Sequence, residues 1–273
     1  MPVPLLADRA SGALVGMAVG RCLASGGEPD GSLSLTRILA EELAAGRRDL
    51  RELAHRWIAR QREDPRGIDA ETSAALAHLA RHDAPPAVAA GQGGDPLVRC
   101  VPVALATFDA PRTLVSATYH VAALTHPDPV VAWSAVALNV ALARLLQGKR
   151  DFVPDVIEAL RNNEVPAELL GAVRRVPLPA AAPPDAPRSG VAGALADAEA
   201  ALRLAYHEPL LERGLRGAAQ PPHASIVRAG LAGALLGARH GLPSIPPSWT
   251  ARVDRDGWAA VAVRLVRVDA AVV

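Results

Sequence analysis

At 273 residues, half of them hydrophobic, the chain can bury a large core and could form one large domain or two small ones. Only 3% of it is aromatic, so alanine, leucine and valine must fill that core, which suits closely packed helices better than a sandwich. A net charge of +1 gives no electrostatic argument for nucleic acid or a polyanionic partner, and the dominance of arginine over the single Lys149 fits a GC-rich coding bias.

The first element carries glycine at every fourth position, Gly12, Gly16 and Gly20, and a matching stripe near the other end comprises Gly233, Gly237 and Gly241. Each interior glycine costs a helix roughly 1 kcal/mol relative to alanine. The compensating gain is close backbone approach, because residues four apart share one helix face. A helix over Ser34–Ala45 is expected to stop at Gly46. Asp49-Leu-Arg-Glu52 has capping-box spacing and opens the helix bearing Trp57 and Ile58. Asp69–Arg81 and Pro111–Leu124 read as two more helices.

Gly91–Pro96 breaks the pattern as a glycine-rich turn or binding loop. Asp128 followed by Pro129 is an N-cap with proline at the first helical position; it opens an apolar helix from Val130 to Leu146, closed by Gly148. Pro177–Pro187, with five prolines among alanines, is a loop or short linker. Ser189–Leu204 and Ser225–His240 are helical in pattern. Val261–Val268 alternates as a strand would, although Trp258, Val261 and Leu265 also fit a helix stripe. Helices joined by short turns predict an all-α architecture, a compact orthogonal multi-helix domain spanning residues 1–273. Two cysteines, Cys22 and Cys100, with no signal-like leader point to a reducing, cytoplasmic location. Arg9 and Arg21 bracket the first stripe too closely for a membrane span.

The residues around the stripes carry a family resemblance. Arg9-Ala-Ser-Gly-Ala-Leu-Val-Gly-Met-Ala-Val-Gly20, and Ala232-Gly-Ala-Leu-Leu-Gly-Ala-Arg-His-Gly-Leu-Pro-Ser-Ile-Pro246 closed by Trp249, resemble the first and last signatures of the ADP-ribosylglycohydrolase family. That family includes the glycohydrolase that reactivates ADP-ribosylated dinitrogenase reductase. Leu97-Val-Arg99-Cys-Val-Pro102 is similar to a family segment in which Asn-Gly precedes Leu-Met-Arg, with Gly94-Asp95 standing here for Asn-Gly. Leu124-Thr-His-Pro-Asp-Pro129 matches the family's Thr-His-Pro signature, and Gly67-Ile68 with Thr72 resembles a further stretch.

The resemblance implies an all-α fold and a site for two magnesium ions. Those ions are held by a Thr-Asp-Asp-Thr run and an Asp-x-Asp-Thr run, as hard cations require oxygen ligands. The first run falls here on Asp30-Gly31-Ser32-Leu33 and the second on Ala224-Ser225-Ile226-Val227, so most ligands are missing. Where the family has Gly-Asp, this chain has Gly20-Arg21. Glu28 stands where the family often keeps a metal-proximal glutamate. No resident metal or other cofactor is therefore expected, and no hydrolysis of the family type.

His126 is expected in the ligand pocket by resemblance, against a bland role flanking the next helix. Arg99 suits either a phosphate or a buried partner aspartate. Gly93 and Gly94 could present backbone N–H groups to a diphosphate beside Asp95. Arg21 reads as an exposed arginine, and Cys22 as a small core residue or a thiol tuned by Arg21. His223 reads as a loop residue.

The expected function is a catalytically degenerate family member, monomeric or weakly dimeric, with a binding or regulatory role at a remnant ADP-ribose or nucleotide pocket. The alternatives are a metal-independent enzyme in the same cleft, drawing on His126, Glu28, Cys22 or His223, and a purely structural scaffold for a protein partner.

Overall fold

The computed structural model describes residues 4–27, 30–87, 93–179, 190–220 and 225–267. In chain order the α-helices are α1 (Leu6–Ser25), α2 (Gly31–Ala44), α3 (Leu50–Glu63), α4 (Ala70–His82), α5 (Asp95–Arg99), α6 (Val101–Ala106), α7 (Pro111–Ala123) and α8 (Pro129–Leu146). They continue as α9 (Val153–Arg161), α10 (Ala167–Arg175), α11 (Gly190–His207), α12 (Leu211–Ala219), α13 (Ile226–His240), α14 (Pro247–Thr250) and α15 (Arg255–Leu265). Among the described residues there is no strand, and one contiguous apolar cluster links Ala10 in α1 to Leu265 in α15.

The two glycine stripes meet each other. A Cβ placed on Gly12 would collide with the Gly237 carbonyl, one on Gly16 with the Gly233 carbonyl, and one on Gly20 with the Ala229 carbonyl. The residue numbers run in opposite senses, so α1 and α13 are antiparallel and in backbone contact at the centre of the fold. Residues Ala10 to Arg21 of α1 are buried without interruption, which only a helix surrounded on every side can achieve. Gly241 departs from the stripe: it lies beyond the end of α13 with φ +81°, a conformation that glycine adopts without strain.

The capping signals place the helix starts. The side chains of Asp49, Asp69, Asp128 and Ser225 each accept a backbone N–H from the helix they precede. Helix α8 is long and apolar enough to cross a membrane by length and composition, yet it is buried among α5, α6, α7, α9, α11 and α13. Asn139 at its middle donates to the Cys100 carbonyl (2.8 Å) and the Thr118 hydroxyl (3.0 Å), fixing the joint between α5 and α6. That joint exists because Pro102 has no N–H to continue the ladder from α5.

One expected element is corrected. Val261–Leu265 belongs to α15, not to a strand, and Val268 lies outside the described residues. Trp258, Val261, Ala262 and Leu265 are buried on one helical face, so tertiary packing at that spacing overrides the alternation of valines. The loop expected over Gly91–Pro96 gives way to helix α5 from Asp95 onward, and most of Pro177–Pro187 lies outside the described residues.

Candidate functional site

A cluster of charged and polar side chains gathers where the C-terminal part of α1, the starts of α2 and α4, helix α5 and the α7–α8 turn converge. Arg21 is its hub and corrects the expectation of an exposed arginine, being only 2% exposed. Its guanidinium pairs bidentately with Asp30, through Nε to Oδ2 and Nη2 to Oδ1 (3.0 Å). Its Nη1 donates to Asp95 Oδ1 at 2.7 Å. Burial alone would disfavour the charge, but Asp95 and Asp30 outweigh it and hold Arg21 firmly protonated. Burial likewise opposes ionisation of Asp95; Arg21, a hydrogen bond from Asp69, and Arg99 together hold its carboxyl well below the usual range.

Asp69 behaves oppositely. Burial, and then the neighbouring Asp95 charge, push its carboxyl upward, so the two aspartates act as a carboxyl–carboxylate pair. Asp69 Oδ1 caps α4 through the Thr72 N–H (2.7 Å), whereas Oδ2 is buried and accepts no hydrogen bond.

Arg99 is buried as a strut. Nη1 donates to Thr125 Oγ1 (2.9 Å) and Nη2 to Thr72 Oγ1 (2.8 Å), and the guanidinium lies 5.2 Å from the centre of the Trp57 ring. Its terminal nitrogens thus engage threonines rather than the aspartate that was one of its two expected partners. Only Nε is left without a partner.

His126 is fully buried, with Nδ1 3.1 Å from Thr125 Oγ1 and Nε2 facing Glu71 Oε2 across 3.8 Å. Burial, and then the Arg99 charge, lower its imidazole to about 3, so it is neutral at ordinary pH. The neighbouring helix is capped by Asp128 itself, leaving His126 free of the bland capping role. Gly93 lies against this pair: a Cβ there would strike the Glu71 carboxylate and sit 3.8 Å from His126 Nε2. Gly94 backs onto Val227 of α13, which a Cβ would approach to 2.9 Å.

The structure therefore brings together His126, Arg99, Gly93, Gly94 and Asp95 from the expected set. It adds Arg21, Asp69 and Glu71, which sequence reasoning missed as site residues. Glu28 and His223 lie outside the described residues. Cys22 is half-buried with its thiol 3.9 Å from the Arg252 carbonyl, away from the cluster's hydrogen bonds. A surface groove of about 540 Å³ lined by Val153, Ile157, Arg161 and Tyr206 contains none of the cluster's charged residues.

The two runs that should carry acidic ligands are occupied by packing instead. A Cβ at Gly31 would lie 2.5 Å from the Arg66 carbonyl and 2.6 Å from Ile68 Cγ1, so no aspartate fits there without moving the backbone. Ser32 is buried with its hydroxyl unpartnered. The Ser225 hydroxyl is committed to Asp197 (2.6 Å) and to the first turn of α13.

Comparison with known proteins places these features in context. The sequence profile described as ADP-ribosylglycohydrolase matches residues 2–272. Among solved structures, one titled "ADP-ribosylglycohydrolase-related protein complex" is similar at a TM-score of 0.78 and 25% identity, covering 96% of this chain and 98% of its own. No curated protein matches the chain.

Proposed function

We propose that this chain, which belongs to the ADP-ribosylglycohydrolase family, is a catalytically degenerate member that binds an ADP-ribose or nucleotide-like ligand and serves a binding or regulatory role. The observation that carries this reading is Arg21. It replaces an acid of the family pattern, and its guanidinium takes the Asp30 and Asp95 carboxylates as its own counter-ions. A buried cation on the chain already neutralises those carboxylates, which disfavours their holding a pair of magnesium ions. Gly31 supports the same conclusion, because the space of a second aspartate is filled by the Arg66–Ile68 backbone. Without such ions, the family's Lewis acid and activated water are lost.

The residues expected to hold a ligand support this reading. His126 and the Gly93–Gly94 turn sit together, offering an aromatic edge and backbone N–H groups of the kind that suit a nucleotide diphosphate. Crystals soaked with magnesium and ADP-ribose are expected to show ligand beside His126 and no pair of ions. Two ordered ions bridged by carboxylates would overturn the reading.

One observation favours a second reading. Asp69, raised by burial and by Asp95, is an acid that holds its proton more tightly than usual, close to the neutral His126. Such a pair is suited to general-acid chemistry on a ribosyl bond without magnesium. Release of ADP-ribose from an ADP-ribosylarginine peptide in chelator, lost in Asp69→Asn, would select this alternative over pure binding.

A further inference from the structure

We infer that Asp69, Glu71 and His126 form a site for one divalent transition-metal ion of the zinc class, built from residues other than the two lost carboxylate runs. The candidate donor atoms of the three side chains all lie within 4.8 Å of one another. One of them is an orphan: His126 Nε2 has no hydrogen-bond partner and His126 is 0% exposed, while Asp69 Oδ2 is buried and accepts no hydrogen bond. Buried polar atoms without partners are uncommon in native proteins, and an ion is one of the groups that satisfies them.

The surroundings fit the same ligand. When Nδ1 donates to the Thr125 hydroxyl, itself anchored by Arg99, Nε2 presents its lone pair toward Glu71 and the imidazole ring is held in orientation. Gly93 keeps the wall beside Glu71 and His126 bare, in space that any other residue would fill with its Cβ. Charge favours a dication too. With Asp69 holding its proton, Asp30, Glu71 and Asp95 outnumber Arg21 and Arg99 by one, and a metal ion on Asp69 releases that proton.

An imidazole with two carboxylates selects first-row metals over magnesium, which prefers oxygen and water alone. Donor distances of about 2.0–2.2 Å require the side chains to close by roughly 1 Å. Glu71 can supply that movement because its side chain is 35% exposed. Three protein ligands leave a position open to water or to a ligand oxygen.

This inference stands apart from ADP-ribose binding and is tested without it. The full chain, stripped with chelator, is titrated calorimetrically with Zn²⁺ and separately with Mg²⁺, and Co²⁺ absorption reports the coordination. On α4, His78 and His82 are four residues apart with ring centroids 4.4 Å apart, and could capture zinc at the surface, so the titration is done in a His78→Ala/His82→Ala background. One Zn²⁺ per chain is expected there, with Mg²⁺ at least a hundredfold weaker. Glu71→Gln and Gly93→Ala should each weaken Zn²⁺ at least tenfold while the helical circular dichroism is unchanged. Glu71 is the informative position because its partial exposure lets the fold tolerate the change; His126→Gln is a second variant expected to lose the ion. Zinc binding that disappears with the His78/His82 pair, persists undiminished in Glu71→Gln, or is absent from the start would overturn the inference.

Discussion

Replacing Gly16 by alanine and Gly217 by alanine should move stability in opposite directions, although both are helical glycines. Each substitution gains up to about 1 kcal/mol of helix propensity. At Gly217 on α12 nothing lies within 4 Å of the new Cβ, so that gain is realised. At Gly16 the new Cβ lands on the Gly233 carbonyl, with the Gly233 carbonyl carbon at 3.0 Å and Cα at 3.6 Å. These are main-chain atoms and cannot rotate aside. Helix α1 must withdraw from α13 by about 1 Å, which also loosens the contacts at Gly12 and Gly20. Overpacking of this kind costs about 1–3 kcal/mol, and loosening a long buried seam adds to it. A net loss of about 2 kcal/mol is expected for Gly16→Ala, lowering the midpoint by about 4–8 °C in a chain of this size. Gly217→Ala should raise it by about 2–3 °C. Thermal unfolding followed by far-ultraviolet circular dichroism, with urea titration for the free energies, reads both. If Gly16→Ala is as neutral or stabilising as Gly217→Ala, the helices do not meet backbone to backbone.

Arg21→Met removes a buried cation while leaving Asp30 and Asp95 behind, and should cost about 3–5 kcal/mol in urea unfolding. His240 is held down to about 4 by burial and then by Arg239 and Arg150, with Glu208 opposing. The unfolded chain takes up that proton near its ordinary value of about 6.5, so this contribution is full above that pH and is lost as pH falls toward 4. After discounting for partial exposure, about 1 kcal/mol should be gone at pH 5, and the His240 ring signals should not titrate between pH 8 and 5. Cys100 is fully buried with its thiol pushed up to about 12 by burial, although Arg99 opposes the shift. A thiol reagent at pH 8 should therefore modify Cys22 in the native protein and reach Cys100 only in denaturant.

The parts of the fold that could be read in the sequence are those set by local chemistry. Asp49, Asp69, Asp128 and Ser225 were identifiable as helix starts because a cap depends on its next three residues. The glycine stripes were legible because nothing local excuses a glycine at every fourth helical position. Arg21 was not: its partner Asp95 is 74 residues away, and an arginine near the end of a helix ordinarily faces water. Asp69 and Glu71 looked like the acidic start of an ordinary helix, stabilising at the positive end of the dipole. Their convergence on His126 depends on how α4 meets the α7–α8 turn, which no spacing in the chain records. The nearest available signal was the acid-x-acid pair at residues 69 and 71 beside a resemblance-bearing threonine, Thr72. The valines of α15 misled for the opposite reason, since a local alternation was outvoted by the face that Trp258 and Leu265 bury.

Calorimetric titration of the full chain with ADP-ribose, with and without magnesium, tests the central claim most directly. Binding of equal affinity in both conditions, weakened in His126→Ala, is the predicted result. Binding that requires magnesium, or magnesium-dependent release of ADP-ribose from a modified peptide, would contradict the proposal that Arg21 replaces the metal pair.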